Sequence, residues 1–332
     1  MSGPKNSSFE YLDLHCVKTI SISERDNLVS IGDFAEPFSS PGISSFLDGL
    51  PLTRHRTNSA GILKEILGRM KRARMKGAPI IWACGPHLIK YGLSKLVVDL
   101  MDRGFVSAYA TNGAGAIHDV EIALFGETSE EMSGEIGMGR FGMARETGEF
   151  INRCAARARR EGRGLGETLG MTLVEESAPH LDHSILAGAW RHAIPMTIHV
   201  AVGTDIVHMH PGFDGADTGA ATQHDFQILA AVVKRLSGGL HLNIASSVIL
   251  PEVFLKCLTV ANNLRQGEGL DPVSDFMTAN INHESEYRPL MNVVRRPTIG
   301  LGQGVELLGR IELMLPLLYA LLVSSDSPVD GE

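Results

Sequence analysis

Apolar runs of strand length alternate with helical patterns through most of the chain. From Asn58, the segment Ser-Ala-Gly-Ile-Leu-Lys-Glu-Ile-Leu-Gly-Arg-Met puts apolar residues at helical spacing. Lys71, Arg72, Arg74 and Lys76 fill its last turns, where cations suit a helix C-terminus. Ala78-Pro-Ile-Ile-Trp-Ala-Cys-Gly85 then reads as a strand, 87–102 as a helix and 105–110 as a second strand, which makes a βαβ unit. A helix over 145–160 follows. Helix and strand pair again at 182–192 with 195–202 and at 225–236 with 240–247. A helix near 252–264, a strand at 275–282 and a long apolar helix from about Val305 complete the pattern. Such alternation predicts an α/β fold, a Rossmann-like parallel sheet with helices on both faces. Residues 1–45 carry Ser, Pro and Gly clusters around short apolar pieces and read as an arm, 46–325 as a single α/β domain and 326–332 as a flexible tail.

Two glycine motifs compete for attention. Ala108-Tyr-Ala-Thr111-Asn112-Gly113-Ala-Gly115 is an apolar run that breaks into a glycine turn and then a helix start, the arrangement of a ligand cradle. The dinucleotide fingerprint would need a third glycine where this chain has His118. Gly137-Met-Gly139-Arg-Phe-Gly142 matches the fingerprint literally, but the acidic stretch 127–135 before it does not read as the strand that the motif requires. It is expected to be a loop.

A chain of 332 residues, 44% hydrophobic and 20% charged, can bury a large core. Its formal charge of −8 argues against a nucleic-acid-binding surface and suits a small cationic substrate. Cys16, Cys84, Cys154 and Cys257 lack paired spacing, which fits reduced thiols rather than a disulfide frame or structural zinc. No basic segment followed by an apolar stretch opens the chain, and the run 311–323 is broken by Glu312 and Pro316. Both features predict a cytoplasmic protein without a membrane span.

In an open parallel sheet, ligands collect at the carboxyl ends of the strands. The polar residues expected there are Gly85 and His87; Thr111, Asn112, Gly113 and Gly115; Asp205 and His208; and His283 with Glu284. Asp205 is a candidate to hold a ribose or an amine. His208 is a candidate acid or base, and His283 with Glu284 would complete the pocket. His208 and His210 have strand-like i, i+2 spacing, but no companion ligand set is recognisable, so no metal is expected.

In order, these pieces resemble the deoxyhypusine synthase family from about Ile43 to Leu322. Ser45-Phe-Leu-Asp-Gly-Leu50 looks like its early helix, Gly85-Pro86-His87 its first cofactor turn and Thr111-Asn-Gly-Ala-Gly115 its Thr-rich glycine turn. The segment around 194–212 and the loop 280–286 are similar to its later strand ends. The resemblance implies a Rossmann-like NAD-binding fold, a homotetramer and NAD-dependent transferase chemistry on a polyamine. The family forms an imine on a late lysine, whereas Lys256 is the last lysine here and Arg295-Arg296 stand in that region. An arginine cannot serve as an imine-forming amine. The expectation is therefore a divergent NAD-dependent enzyme acting on a small amine, polyamine or amino acid. The alternative is a catalytically inert relative that binds NAD or a protein partner.

Overall fold

The computed structural model describes residues 12–40, 42–43 and 58–324; the Ser45 to Leu50 segment and the 326–332 tail lie outside them. Six strands form one parallel sheet: β2 (Ile80–Cys84), β3 (Ala108–Asn112), β5 (Met196–His199), β6 (Leu240–Ile244), β7 (Phe276–Asn282) and β8 (Gly302–Leu308), in the order β5-β3-β2-β6-β7-β8. Counted within the sheet, that is the 3-2-1-4-5-6 order of a Rossmann fold, whose switch point falls between β2 and β6.

Alternate side chains divide the sheet between two cores. Ile80, Trp82 and Cys84 enter one core with helices α1 (Ser59–Lys76), α3 (Ser94–Asp102) and α4 (Gly113–Phe125); Ile81 and Ala83 enter the other with α8 (Gly215–Val233) and α9 (Ile249–Gly267). Helices therefore cover both faces, as the alternation predicts. The local signals explain the element ends. The Asn58 side chain accepts from Gly61 N–H to start α1, and Gly77 ends it at a φ of 64°.

Four elements differ from the sequence expectation. Residues 302–308 are a strand, not the start of the closing helix, which runs over Ile311–Ser324 as α10. Val305-Glu-Leu-Leu308 supplies apolar residues that merge with the helical pattern beyond, and as the sheet's edge β8 lacks the continuous burial of the inner strands. Helix α8 begins well before 225, because Asp214 accepts from the amides of Ala216 and Asp217. A further helix, α6 (Leu165–Glu175), has no side-chain cap of its own; Asp225 of α8 accepts from Gly166 N–H instead. Finally, acidic residues 127–130 do form a strand, β4 (Glu127–Glu130), pairing antiparallel with β1 (Asn27–Ser30) of the N-terminal arm. The arm is docked further where Ser21 Oγ–H and Ile22 N–H donate to Glu146 in the first turn of α5 (Arg145–Glu161). No helix among the described residues is long and apolar enough to cross a membrane.

Candidate functional site

The expected site residues fall into two groups at the carboxyl edge, joined by the short helix α2 (His87–Lys90). The first group lines the switch-point crevice. A Cβ on Gly85 would lie 2.0 Å from the Ala245 carbonyl oxygen, so only glycine lets the turns after β2 and β6 close together. His87, Tyr91 and His283 gather over that floor, with ring centroids 6.4 Å apart for His87 and His283 and 6.3 Å for Tyr91 and His283. Burial, then the Lys90 cation and His283, hold the His87 imidazole below its ordinary range. The buried Nδ1 of His283 has no hydrogen-bond partner. Glu284 is exposed.

Beside this group, Arg25, Lys90, His118, Glu121, Glu130 and Asp205 line a cavity of about 200 Å³. Met132 and Phe141 of the loop carrying the literal glycine fingerprint form part of its wall. Asp205 belongs to this cavity. Its Oδ2 is buried without a hydrogen-bond partner, and burial pushes its carboxyl up to about 6. Arg25 of the arm brings its guanidinium to 2.7 Å from Glu121 and 3.9 Å from Glu130.

At the glycines of 111–115 the space beside the backbone is taken by neighbouring side chains. Neither Gly113 nor Gly115 takes a positive φ. A Cβ on Gly113 would lie 2.1 Å from Asp205 Oδ2, and one on Gly115 would lie 2.1 Å from Thr111 Oγ1, so protein atoms already fill both spaces. Thr111 donates to the Cys84 carbonyl, and Asn112 accepts from Gly115 N–H as the cap of α4. Beyond them, Asp119 accepts from Ser184 Oγ–H and the amides of Ile185 and Leu186, which ties it to another helix start.

His208 is tied into its own loop. Its Nδ1 accepts from the amides of Gly203 and Asp205, which leaves Nε2 as the protonated nitrogen of the neutral ring, 3.8 Å from Asp205 Oδ2. Burial holds its pKa down. His210 instead bonds the Gly142 carbonyl through Nε2 at 2.8 Å and packs over Gly148. The two histidines thus serve different contacts, and no group of three or more His, Cys, Asp or Glu among the described residues is placed to hold a metal.

Lys90, Arg25 and Glu130 also line the cavity, outside the strand-end residues expected from the sequence. Lys90 follows His87 by three residues on one helix, a spacing that places both on one face. Arg25 and Glu130 meet only because β1 pairs with β4, and no local pattern announces that pairing.

Comparison with known proteins agrees with this fold. The family described as arginine dihydrolase ArgZ-like, C-terminal, Rossmann fold, matches residues 64–149. No curated protein matches the chain by sequence. Among solved structures, the ternary complex of AgrE with ornithine and NAD+ aligns at a TM-score of 0.54 and 15% identity, over 84% of this chain and 35% of AgrE. ArgZ, an arginine dihydrolase from the ornithine-ammonia cycle in Cyanobacteria, aligns at 0.49 and 16% identity, over 84% of this chain and 33% of ArgZ. A candidate deoxyhypusine synthase from Entamoeba histolytica aligns at 0.42 and 11% identity, covering 82% of this chain and 92% of that one. The chain thus spans about a third of the length of ArgZ and AgrE. At these identities the likeness establishes the Rossmann-type fold. The deoxyhypusine synthase resemblance accordingly broadens to a Rossmann-type fold similar to that of AgrE.

Proposed function

We propose that this chain is an NAD-dependent enzyme acting on a small cationic amine or amino acid, with residues 46–325 as its working domain. The observation that carries the reading is the juxtaposition at α2: His87 borders the switch-point crevice, and Lys90 lines the cavity that contains the unpaired Asp205 carboxylate oxygen. AgrE, with the same fold, was solved with ornithine and NAD+, and that supports assigning one space to a dinucleotide and the other to an amino acid.

The crevice suits a dinucleotide on two counts. The buried Nδ1 of His283 lacks a partner, and α9 starts after Ser246-Ser247 with no side-chain cap on its first amides, while Gly85 keeps the crevice floor closed against Ala245. No carboxylate ends β3, where Asn112 is committed to its helix cap, so Gly85, His87 and His283 are the residues proposed to hold the cofactor. When bound, NAD supplies acceptance of a hydride from the carbon that bears the amine. The protein's own part is positional. Asp205 holds the substrate ammonium, Lys90 pairs with a carboxylate where the substrate has one, and His283 Nδ1 takes the amine proton. His208 acts through Asp205, fixing its loop by accepting two amides. The resembled family adds the expectation of a homotetramer, which light scattering would test.

Titration of purified protein with NAD, followed by thermal shift, tests the cofactor half; no shift removes it. NADH absorbance across a panel of amino acids and polyamines tests the reaction. A thermal shift without any absorbance change favours the inert relative.

A further inference from the structure

Two carboxylate oxygens and one imidazole nitrogen, all without hydrogen-bond partners among the described residues, belong to residues lining the same cavity. Asp205 has an 8% exposed side chain and an unpaired Oδ2; Glu130 has a 6% exposed side chain and an unpaired Oε1. A buried acceptor without a donor is costly, more so when charged, and these two unpaired oxygens belong to residues lining one cavity together with the Lys90 and Arg25 cations, which leaves room for a further donor.

The third acceptor follows from a chain of hydrogen bonds. Thr128 Oγ–H donates to Glu121 Oε2 at 2.6 Å, because a carboxylate only accepts. Having one proton, Thr128 must accept from His118 Nδ1–H at 2.7 Å. That fixes the tautomer and leaves a lone pair on Nε2. Burial first, then the Lys90 and Arg25 cations, push His118 down to about 3, so the ring stays neutral.

We infer that this cavity is a receptor for a primary ammonium group, with Glu130 and His118 as specificity-determining residues beside Asp205, and Thr128 and Glu121 as positioning residues for His118. Three N–H donors and no acceptor are what an ammonium offers to three acceptors. A trimethylammonium has no donor to give and would leave all three unpaired. The inference builds on the amine-holding role proposed for Asp205, and assigns the selectivity to residues that the hydride reaction does not require.

Calorimetry without NAD tests it, using 1,4-diaminobutane, L-ornithine and butyltrimethylammonium as probes. At least one primary amine is expected to bind, with the trimethyl compound about tenfold weaker or worse. Glu130→Gln, which keeps an oxygen for the Gly142 amide that Glu130 now accepts, is expected to weaken the primary amine about tenfold. In nitrogen-15 spectra, His118 is expected to show an unprotonated Nε2 whose resonance moves on amine binding, and Thr128→Val is expected to mix the tautomers. Equal affinity for primary and trimethylated amines, no amine binding, or an Nε2 resonance that stays put would each overturn the inference. If amines bind while NAD does not, the ammonium receptor stands and the enzymatic reading falls; NAD binding without amine binding overturns the receptor and leaves only the cofactor half of the proposed function.

Discussion

The carboxylate of Asp205 occupies the space that a side chain on Gly113 would need, with Oδ2 2.1 Å from the ideal Cβ position. The glycine at the end of β3 is therefore there to admit a carboxylate from the loop after β5. Gly113→Ala is expected to expel Asp205 from the cavity and to lower amine affinity about tenfold, equivalent to about 1.4 kcal/mol. Calorimetry on the folded variant, with circular dichroism as the check on folding, would decide it; unchanged affinity would remove Asp205 from the site.

The pH dependence of amine binding should report the same carboxyl. Burial raises Asp205 to about 6, and Arg25, Lys90, His118, Glu121, Glu130 and His208 are the charged or titratable groups around it. An ammonium prefers the ionised carboxylate, so below about pH 6 binding must also remove a proton. Affinity is expected to fall by up to about tenfold per pH unit below that point and to level off above it. Asp205→Asn should abolish the slope, and a slope that persists in the variant would assign it to another group.

Thr111 bridges two strands, because its hydroxyl donates to the Cys84 carbonyl at 2.8 Å while its Oγ1 fills the space beside Gly115. Gly115→Val would push that hydroxyl away and leave the carbonyl unpaired. A stability loss of about 1–3 kcal/mol is expected in denaturant titrations, whether or not NAD is present. A variant of unchanged stability that loses NAD binding would restore this turn as the cofactor cradle.

How much of this was legible depended on whether each signal was local. Strand β2 reads as a continuous apolar run, and β6 and β7, buried along their whole length, read as short mixed runs of strand length between helices, which is enough to predict the sheet. Edge strand β8, partly exposed and followed within three residues by an apolar helix, carried no separate period. At the site, the sequence puts His87 and His283 at strand ends, and their ring centroids lie 6.4 Å apart. Arg25, Glu121 and Glu130 come together through the antiparallel pairing of the arm, a long-range contact with no spacing to detect. A glycine is ambiguous by itself, since the same residue admits a ligand or a neighbouring side chain. Only the identity of the nearest atoms separates the two.

Asp225 supplies a last test, away from the site. It is fully buried in α8 and accepts from the amides of Ile198 in β5 and Gly166 in α6, which makes it the joint between those elements. Burial outweighs those bonds and raises its carboxyl from 3.8 to about 8. A folded-state pKa above the unfolded value means that the fold favours the protonated form. The stability linked to this group is therefore full below about pH 4 and is lost as pH rises towards 8. Asp225→Asn keeps an acceptor oxygen for the two amides but cannot ionise. Between pH 5 and pH 8.5, unfolding free energies from urea titration are expected to fall more steeply in the natural protein than in the variant, by at least about 1.4 kcal/mol, the equivalent of one pKa unit. Parallel curves would mean that Asp225 stays ionised and that its amide bonds outweigh its burial. Asp225→Ala, which strands both amides, should cost about 2–4 kcal/mol at either pH.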